Sequence, residues 1–460
     1  MLLKKQGLYL RGIKRNKLAI TPFQLIVLGY LLFAILGTAL ISLPFSLQPG
    51  VDFSLVDALF TATSAISVTG LAVVDTNDTF NTTGKFILAF LMQFGGIGIM
   101  ALGTLLFVVR GNQIRLRERM MISADQNQLS LQGMVYLILF IFKAAVIFEL
   151  LGALILTLHF MSNYQAPFLS ALGSGLFHSI SGFTNCGFEL FGNSLQGYQH
   201  DYVVKSVIGL LLLAGAIGFP VLLEVSANIN SWRRQRKLKF SLYTKITTVT
   251  FLALLLAGFI FVLQSEQYGT LAGMPWYQKI TVSIFQSLTT KSGGFSLVDI
   301  SAYNHSTLLF FCLLMFIGAS PSSCGGGIRT TTFAVLVLAL LAFLRGKSSV
   351  KVFRRELFQE DIIKAFMVFF IAATLMAAAV IILSSIENFT TTEILFEVCS
   401  AFGTTGLSMG ITADLSTAGK IVLIILMFIG RIGFIPLLFL FRGRKPEDRY
   451  HYVKEHIIVG

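Results

Sequence analysis

Charge is scarce in this chain. Asp, Glu, Lys and Arg supply 12% of its 460 residues, against 55% hydrophobic ones. A water-soluble fold cannot hide that much apolar surface, so the composition excludes a soluble globule and points to the bilayer. Cysteine is scarcer still: Cys186, Cys312, Cys324 and Cys399 are scattered through apolar or Gly-rich segments without CxxC spacing. That pattern excludes a disulfide framework and a thiolate metal site. Enzymatic motifs are missing too. There is no HExxH and no paired Asp, and His159, His178, His200 and His305 are single residues near expected outer loops. An intramembrane hydrolase needs a nucleophile with a base, or paired metal ligands, so an enzyme is not expected. Neither a Walker sequence nor a GxGxxG after a strand occurs, so no nucleotide cofactor is expected on this chain. The first apolar run starts late and is as long as a membrane span, which argues against a cleaved signal peptide.

What is present are long charge-free runs, such as Phe23 to Leu43 and Phe86 to Val109. Each matches the roughly 20 apolar helical residues that cross a hydrocarbon core of about 30 Å. The formal charge of +13 could suggest nucleic acid, but the positions of the 35 Lys and Arg decide otherwise. Twenty-seven fall in five clusters between apolar segments, at 1–22, 110–119, 233–245, 345–364 and 442–460. This positive-inside bias predicts a multi-pass protein of the cell membrane with both termini cytoplasmic and no nucleic-acid partner.

A short pattern returns four times: a Phe, then small and polar residues, then a Gly followed by Leu or Phe. It runs from Phe60 to Gly70, Phe177 to Gly187, Phe285 to Gly294 and Phe396 to Gly406. The third copy is one residue shorter, which leaves its register open. Apolar spans flank each copy, and a second Gly-rich motif follows about half a span later: Gly95-Gly96-Ile97-Gly98, Gly215-Ala216-Ile217-Gly218, the stretch starting at Gly318, and Gly430-Arg431-Ile432-Gly433. The predicted spans are 23–43 and 86–109, 134–160 and 203–225, 246–263 and 307–344, 365–384 and 418–441. The repeats are then 23–110, 111–232, 233–345 and 346–442, between an N-terminal segment 1–22 and a C-terminal tail 443–460.

Two spans per repeat return the chain to its starting side, so the four copies are parallel and can surround one axis along the membrane normal, unlike inverted transporter repeats. The expected fold is an all-α membrane protein of eight spans, with four helix, pore loop, helix repeats in pseudo-fourfold arrangement. The short segment between spans cannot cross the bilayer and re-enters. Non-helical backbone at membrane depth is tolerated where it lines a water-filled cavity. Four such loops make a pore in which backbone carbonyls replace a cation's hydration shell, with the negative ends of the short helices directed at it. Gly at the turn permits positive φ and close approach of four backbones. A helix C-cap glycine is the bland alternative for any one copy, and recurrence in matching context argues against it.

Ser67-Val68-Thr69-Gly70-Leu71, Thr184-Asn185-Cys186-Gly187-Phe188 and Thr404-Thr405-Gly406-Leu407 resemble filters of the Trk/Ktr/HKT superfamily of potassium transporters. In length and repeat count the chain is most similar to the Ktr membrane subunit of the KtrB/KtrD type. Third filters of that family usually read Arg-Thr-Ala-Gly-Phe, where this chain has Lys291-Ser292-Gly293-Gly294-Phe295. The resemblance implies a potassium uptake subunit with Ser67, Val68, Thr69, Gly70, Thr184, Asn185, Cys186, Gly187, Ser292, Gly293, Gly294, Thr404, Thr405 and Gly406 as its filter. It implies K+ as the ion, with Na+ a second candidate as transported or coupling ion, and a homodimer bound by a cytoplasmic nucleotide-binding ring of the KtrA/KtrC type that carries ATP or ADP. An alternating-access carrier is the competing class.

The stretch Gly318, Ala319, Ser320, Pro321, Ser322, Ser323, Cys324, Gly325, Gly326, Gly327, Ile328, Arg329 cannot stay helical throughout, and the span 307–344 is too long for one clean helix. By resemblance, residues 318–329 form an intramembrane gate loop; an ordinary cytoplasmic turn is the alternative. Arg431 lies within the apolar stretch Ile421 to Phe441, where an unpaired charge costs at least about 3 kcal/mol. The resemblance places it below the filter as a barrier to cations. A structural salt bridge, with Glu149 as the candidate partner, is the other reading. Lys143 is expected to snorkel to the cytoplasmic interface.

Overall fold

The computed structural model of the protein describes residues 22–98, 133–233 and 240–433, together with a few isolated positions between 101 and 120 and between 436 and 458. The expected cytoplasmic tails and the far ends of the spans expected at 86–109 and 418–441 lie outside the described residues.

One unit of outer helix, short helix and inner helix recurs four times. The outer helices are Pro22–Ile41, Met134–Asn163, Leu242–Ser265 and Gln359–Ile386. All four are long and apolar enough to cross a membrane. They are apolar around most of their circumference, and side chains such as Leu150, Leu151, Leu154 and Leu158 are exposed. Lipid is the solvent in which such a surface costs nothing. The short helices are Leu55–Ser67, Phe168–Thr184, Trp276–Thr289 and Thr391–Gly403, each too short to span. Their last two turns are buried almost without exception. Ser54 caps the first of them, and Thr390 with Glu393 forms a capping box at the fourth, so these helices begin where local chemistry dictates. A two-stranded hairpin, Lys351–Val352 with Arg355–Glu356, joins repeats 3 and 4. It is a small departure from an all-helical chain.

The inner helices are interrupted, in repeat 3 as expected and in repeat 2 where a straight span was expected. They are Thr82–Ile97, Tyr202–Ala216, His305–Ile317 and Thr417–Ile432. Each stops one or two residues before a glycine with positive φ: Gly98 (100°), Gly218 (101°), Gly318 (65°) and Gly433 (82°). No Cβ penalty arises there, so the chain can turn out of the helix. In repeat 2 the expected straight span 203–225 is bent by 102° into the helix that follows. In repeat 3 the interruption runs from 318 to 329 before Thr330–Leu344 resumes. The second Gly motif of repeat 3 therefore shifts register: Gly318 matches Gly98, Gly218 and Gly433 and not the first glycine of those motifs.

Candidate functional site

The four short helices end in the same way. Two residues before each repeat glycine, a side-chain-bearing residue sits in the left-handed region: Val68 (φ 59°), Asn185 (60°), Ser292 (66°) and Thr404 (46°). The glycines follow at 82°, 81°, 75° and 89° for Gly70, Gly187, Gly294 and Gly406. Left-handed backbone at β-branched Val68 and Thr404 is strained, and such strain persists where surrounding structure imposes it. The equivalence settles the register of the third copy. Counted back from the glycine, all four loops coincide. The missing residue is absorbed one step earlier, because Gly293 N–H bonds Thr289 O four residues back, whereas Thr69, Cys186 and Thr405 reach Ser64, Ser181 and Ser400, five back.

Gly70, Gly187, Gly294 and Gly406 come together into a closed ring. A Cβ on Gly70 would collide with the Cys186 carbonyl, and one on Gly406 with the Thr69 carbonyl. A Cβ on Gly187 would lie 2.6 Å from Gly294 Cα, and one on Gly294 would lie 2.9 Å from Thr405 O. Each loop thus abuts its neighbours, and the fourth returns to the first. Above the ring a cavity of about 470 Å³ is lined by the same four glycines, with Asp75, Glu189 and Asp299 among its walls. Acidic walls raise the local concentration of cations.

Sequence reasoning missed the braces behind this ring. Ser64 Oγ donates to Leu71 O at 2.8 Å, Ser181 Oγ to Phe188 O at 2.7 Å, and Thr289 Oγ1 to Phe295 O at 2.7 Å. In repeat 4 the role is inverted, since Ser400 Oγ accepts from Gly406 N–H at 3.1 Å. A hydroxyl six residues before the glycine in repeats 1, 2 and 4, and five before it in the shorter repeat 3, was the available signal. Asn185 is also a brace: in the amide orientation that satisfies its neighbours, it donates to Gly182 O and Leu212 O and accepts from Ala216 N–H. His178 lies against the loop that follows Gly187, its ring stacked on Phe191. It is fully buried, with Nδ1 2.7 Å from Ser174 O, while Leu190 N–H donates to Nε2 at 3.3 Å.

Residues 318–329 lie directly beneath the ring and almost entirely buried. A Cβ on Gly325 would approach Ser292 Oγ to 2.5 Å, and one on Gly326 would approach Thr404 Oγ1 to 2.6 Å. The loop hangs on repeat 2: Ser320 N–H bonds Ala216 O, Cys324 N–H bonds Gly215 O, and Phe219 N–H bonds Ser322 O. Tyr243 holds Pro321 O at 2.7 Å. Ser323 Oγ donates to Ser320 O at 2.6 Å, and Arg329 donates to Gly325 O, so the loop is also cross-tied internally. A surface turn makes no such set of contacts.

Arg431 is the penultimate residue of the helix Thr417–Ile432, which ends before Gly433; the far end of the span expected at 418–441 lies outside the described residues. Its guanidinium donates to the carbonyls of Cys324, in the loop, and of Gly95 and Gly96, at the end of the first inner helix. Glu149 is not its partner; that carboxyl accepts from Gln93 Nε2 at 3.1 Å. The four ion pairs among the described residues involve neither Arg431 nor Glu149. Lys291, beside the third loop, is fully buried and reaches Leu314 O at 3.2 Å. No cluster of His, Cys, Asp or Glu able to hold a metal occurs among the described residues.

The chain matches the family model described as cation transport protein, TrkH, over residues 20–452. It is 50% identical over 442 residues to the Ktr system potassium uptake protein D of Bacillus subtilis, spanning 96% of this chain and 98% of that one. Identity to the Ktr system potassium uptake protein B of the same organism is 39% over 430 residues, 93% of this chain and 94% of that protein. The potassium/sodium uptake protein NtpJ of Enterococcus hirae is 33% identical over 454 residues, 97% of this chain and 99% of NtpJ. Among solved structures, the potassium transporter TrkH from Vibrio parahaemolyticus has the same fold. Its TM-score is 0.71 at 20% identity, over 93% of this chain and 86% of that one.

Proposed function

The chain belongs to the TrkH family of cation transport proteins, and from that premise we propose that it is the ion-conducting membrane subunit of a potassium uptake system of the Ktr type. The observation that carries this reading is the closed ring of four glycine loops. Backbone carbonyls of residues 67–70, 184–187, 292–294 and 404–406 then replace the hydration shell of K+, and the acidic cavity above collects the ion. Entry is channel-like, through one axis shared by four parallel repeats, and all eight chain passages surround that axis. Residues 318–329 act as the gate, with Arg431 as its latch and as an electrostatic barrier.

Control comes from outside the chain in this reading, from a cytoplasmic ring of nucleotide-binding subunits acting on a homodimer. Na+ is a second candidate as coupling or transported ion, a reading favoured by the similarity to a potassium/sodium uptake protein. The decisive experiment is K+ and Na+ uptake by cells or liposomes carrying the chain with and without a regulatory partner. Saturable K+ uptake that the partner stimulates is expected; no cation flux in either condition refutes the reading.

Two smaller effects follow. Deleting several residues between Gly318 and Gly327 removes the ties to Ala216 and Gly215 and should raise flux and reduce dependence on the partner. Lost flux at normal membrane abundance would mark the loop as scaffold. Ser181→Ala deletes the hydroxyl that holds Phe188 O. A hydrogen bond of about 1 kcal/mol corresponds to a roughly fivefold change, so a modest fall in K+ over Na+ preference is expected from competitive uptake. Equal preference would show that the brace does not shape the filter.

A further inference from the structure

Two buried oxygens have no hydrogen-bond partner among the described residues although they belong to side chains that touch: Oε1 of Glu149 and Oε1 of Gln93. The contact between them is Gln93 Nε2 to Glu149 Oε2, at 3.1 Å. An ionised carboxylate only accepts, and so does an amide oxygen. With Glu149 charged, both orphaned oxygens stay unsatisfied in a low-dielectric interior, and none of the ion pairs among the described residues meets the negative charge. Cations on the elements packed against Glu149 are engaged elsewhere: Lys85 with Asn77, Lys205 with Gln199 O, and His178 with Ser174 and Leu190. Arg431 directs its terminal nitrogens at carbonyls.

One proton resolves every part of this. Placed on Glu149 Oε1 and donated to Gln93 Oε1, it closes a cyclic acid–amide pair with two hydrogen bonds and leaves neither oxygen orphaned. We propose that Glu149 is a protonated carboxylic acid paired in this way with Gln93, and that the neutral pair is a positioning device for the Arg431 latch. Glu149 lies on the outer helix of repeat 2, and its own carbonyl accepts from Ser179 Oγ at 2.7 Å, which ties it to the second short helix. Gln93 stands two residues before Gly95 on the first inner helix. Gly95 and Gly96 supply two of the three carbonyls that hold Arg431, and a Cβ on Gly96 would lie 2.8 Å from Thr184 in the second loop. The pair thus sets the height of the Arg431 cradle against the second loop. A carboxylate there would compete with those carbonyls for the guanidinium, since a charged acceptor forms the stronger bond.

The assignment of the proton rests on the Gln93–Glu149 contact and the two orphaned oxygens beside it; its consequence for flux rests on the pore reading, and the test separates the two. Infrared difference spectra of wild type against Glu149→Gln, in detergent or lipid at neutral pH, should show the C=O stretch of a protonated carboxylic acid in wild type and its loss in the variant. Because glutamine can reproduce both hydrogen bonds, Glu149→Gln should transport K+ as wild type does. Gln93→Leu should lose transport several-fold, and the exchanged pair Gln93→Glu with Glu149→Gln should regain it. Absence of the protonated band in wild type, or an unchanged spectrum in Glu149→Gln, overturns the proton assignment whatever the protein transports. A several-fold change of flux in Glu149→Gln at normal membrane abundance overturns the neutral role, because it would mean that the charge is required.

Discussion

Gly70→Ser is expected to remove most of the preference for K+ over Na+, by about tenfold or more, since a rearrangement worth ~1.4 kcal/mol between two ions already amounts to tenfold. Gly70 has φ +82°, where a side chain is disfavoured, and its Cβ would meet the Cys186 carbonyl of the next loop. Serine there has no rotamer that avoids the clash, because the Cβ itself collides. The second loop must therefore move, and with it the carbonyl just before Gly187. The ring is closed, so the shift propagates to Gly294, which sits against Gly187. Gly50→Ser is the control: φ is also positive, +83°, but nothing lies within 4 Å of its Cβ position. Competitive uptake of K+ and Na+ by both variants is the measurement. An unchanged ratio for Gly70→Ser would remove that glycine from ion selection.

The second large effect belongs to Arg431. Arg431→Ala and Arg431→Gln are expected to raise K+ flux several-fold, with Arg431→Lys closest to wild type. The charge is permanent, because arginine stays protonated in proteins. At 4 Å from a cation its repulsion is about 4 kcal/mol at an effective dielectric of 20. The same side chain joins the loop, through Cys324 O, to the first inner helix, through the Gly95 and Gly96 carbonyls. Alanine removes barrier and latch together; glutamine retains part of the hydrogen bonding without the charge; lysine retains charge but not the planar fork that serves several carbonyls. Flux per assembled protein in the three variants orders these contributions. Lower flux at normal abundance in the neutral variants would sink the barrier role and leave a structural one.

Much of this protein is local information. The bilayer as solvent follows from runs such as Phe23 to Leu43, and the fourfold repeat from glycines 70, 187, 294 and 406, each behind a segment too short to cross. The break at 318–329 was also legible, because four glycines and Pro321 within twelve residues cannot sustain a helix. Tertiary structure decided the rest. A one-residue deletion in repeat 3 could have been absorbed anywhere, and only the αL residues at 68, 185, 292 and 404 showed that the glycine end keeps register while the helix end gives way. The inner helices read as continuous apolar spans because hydropathy does not register a positive φ at Gly98, Gly218 or Gly433. By charge alone Arg431 called for a counter-charge, either a carboxylate such as Glu149 or carbonyls of the 318–329 loop; its acceptors are carbonyls, Cys324 O of that loop and others, one of them 336 residues away in the chain. Backbone oxygens are identical at every residue, so no pattern of side chains reveals which of them will face a guanidinium. Packing selects them, as it selects Gln93 for Glu149.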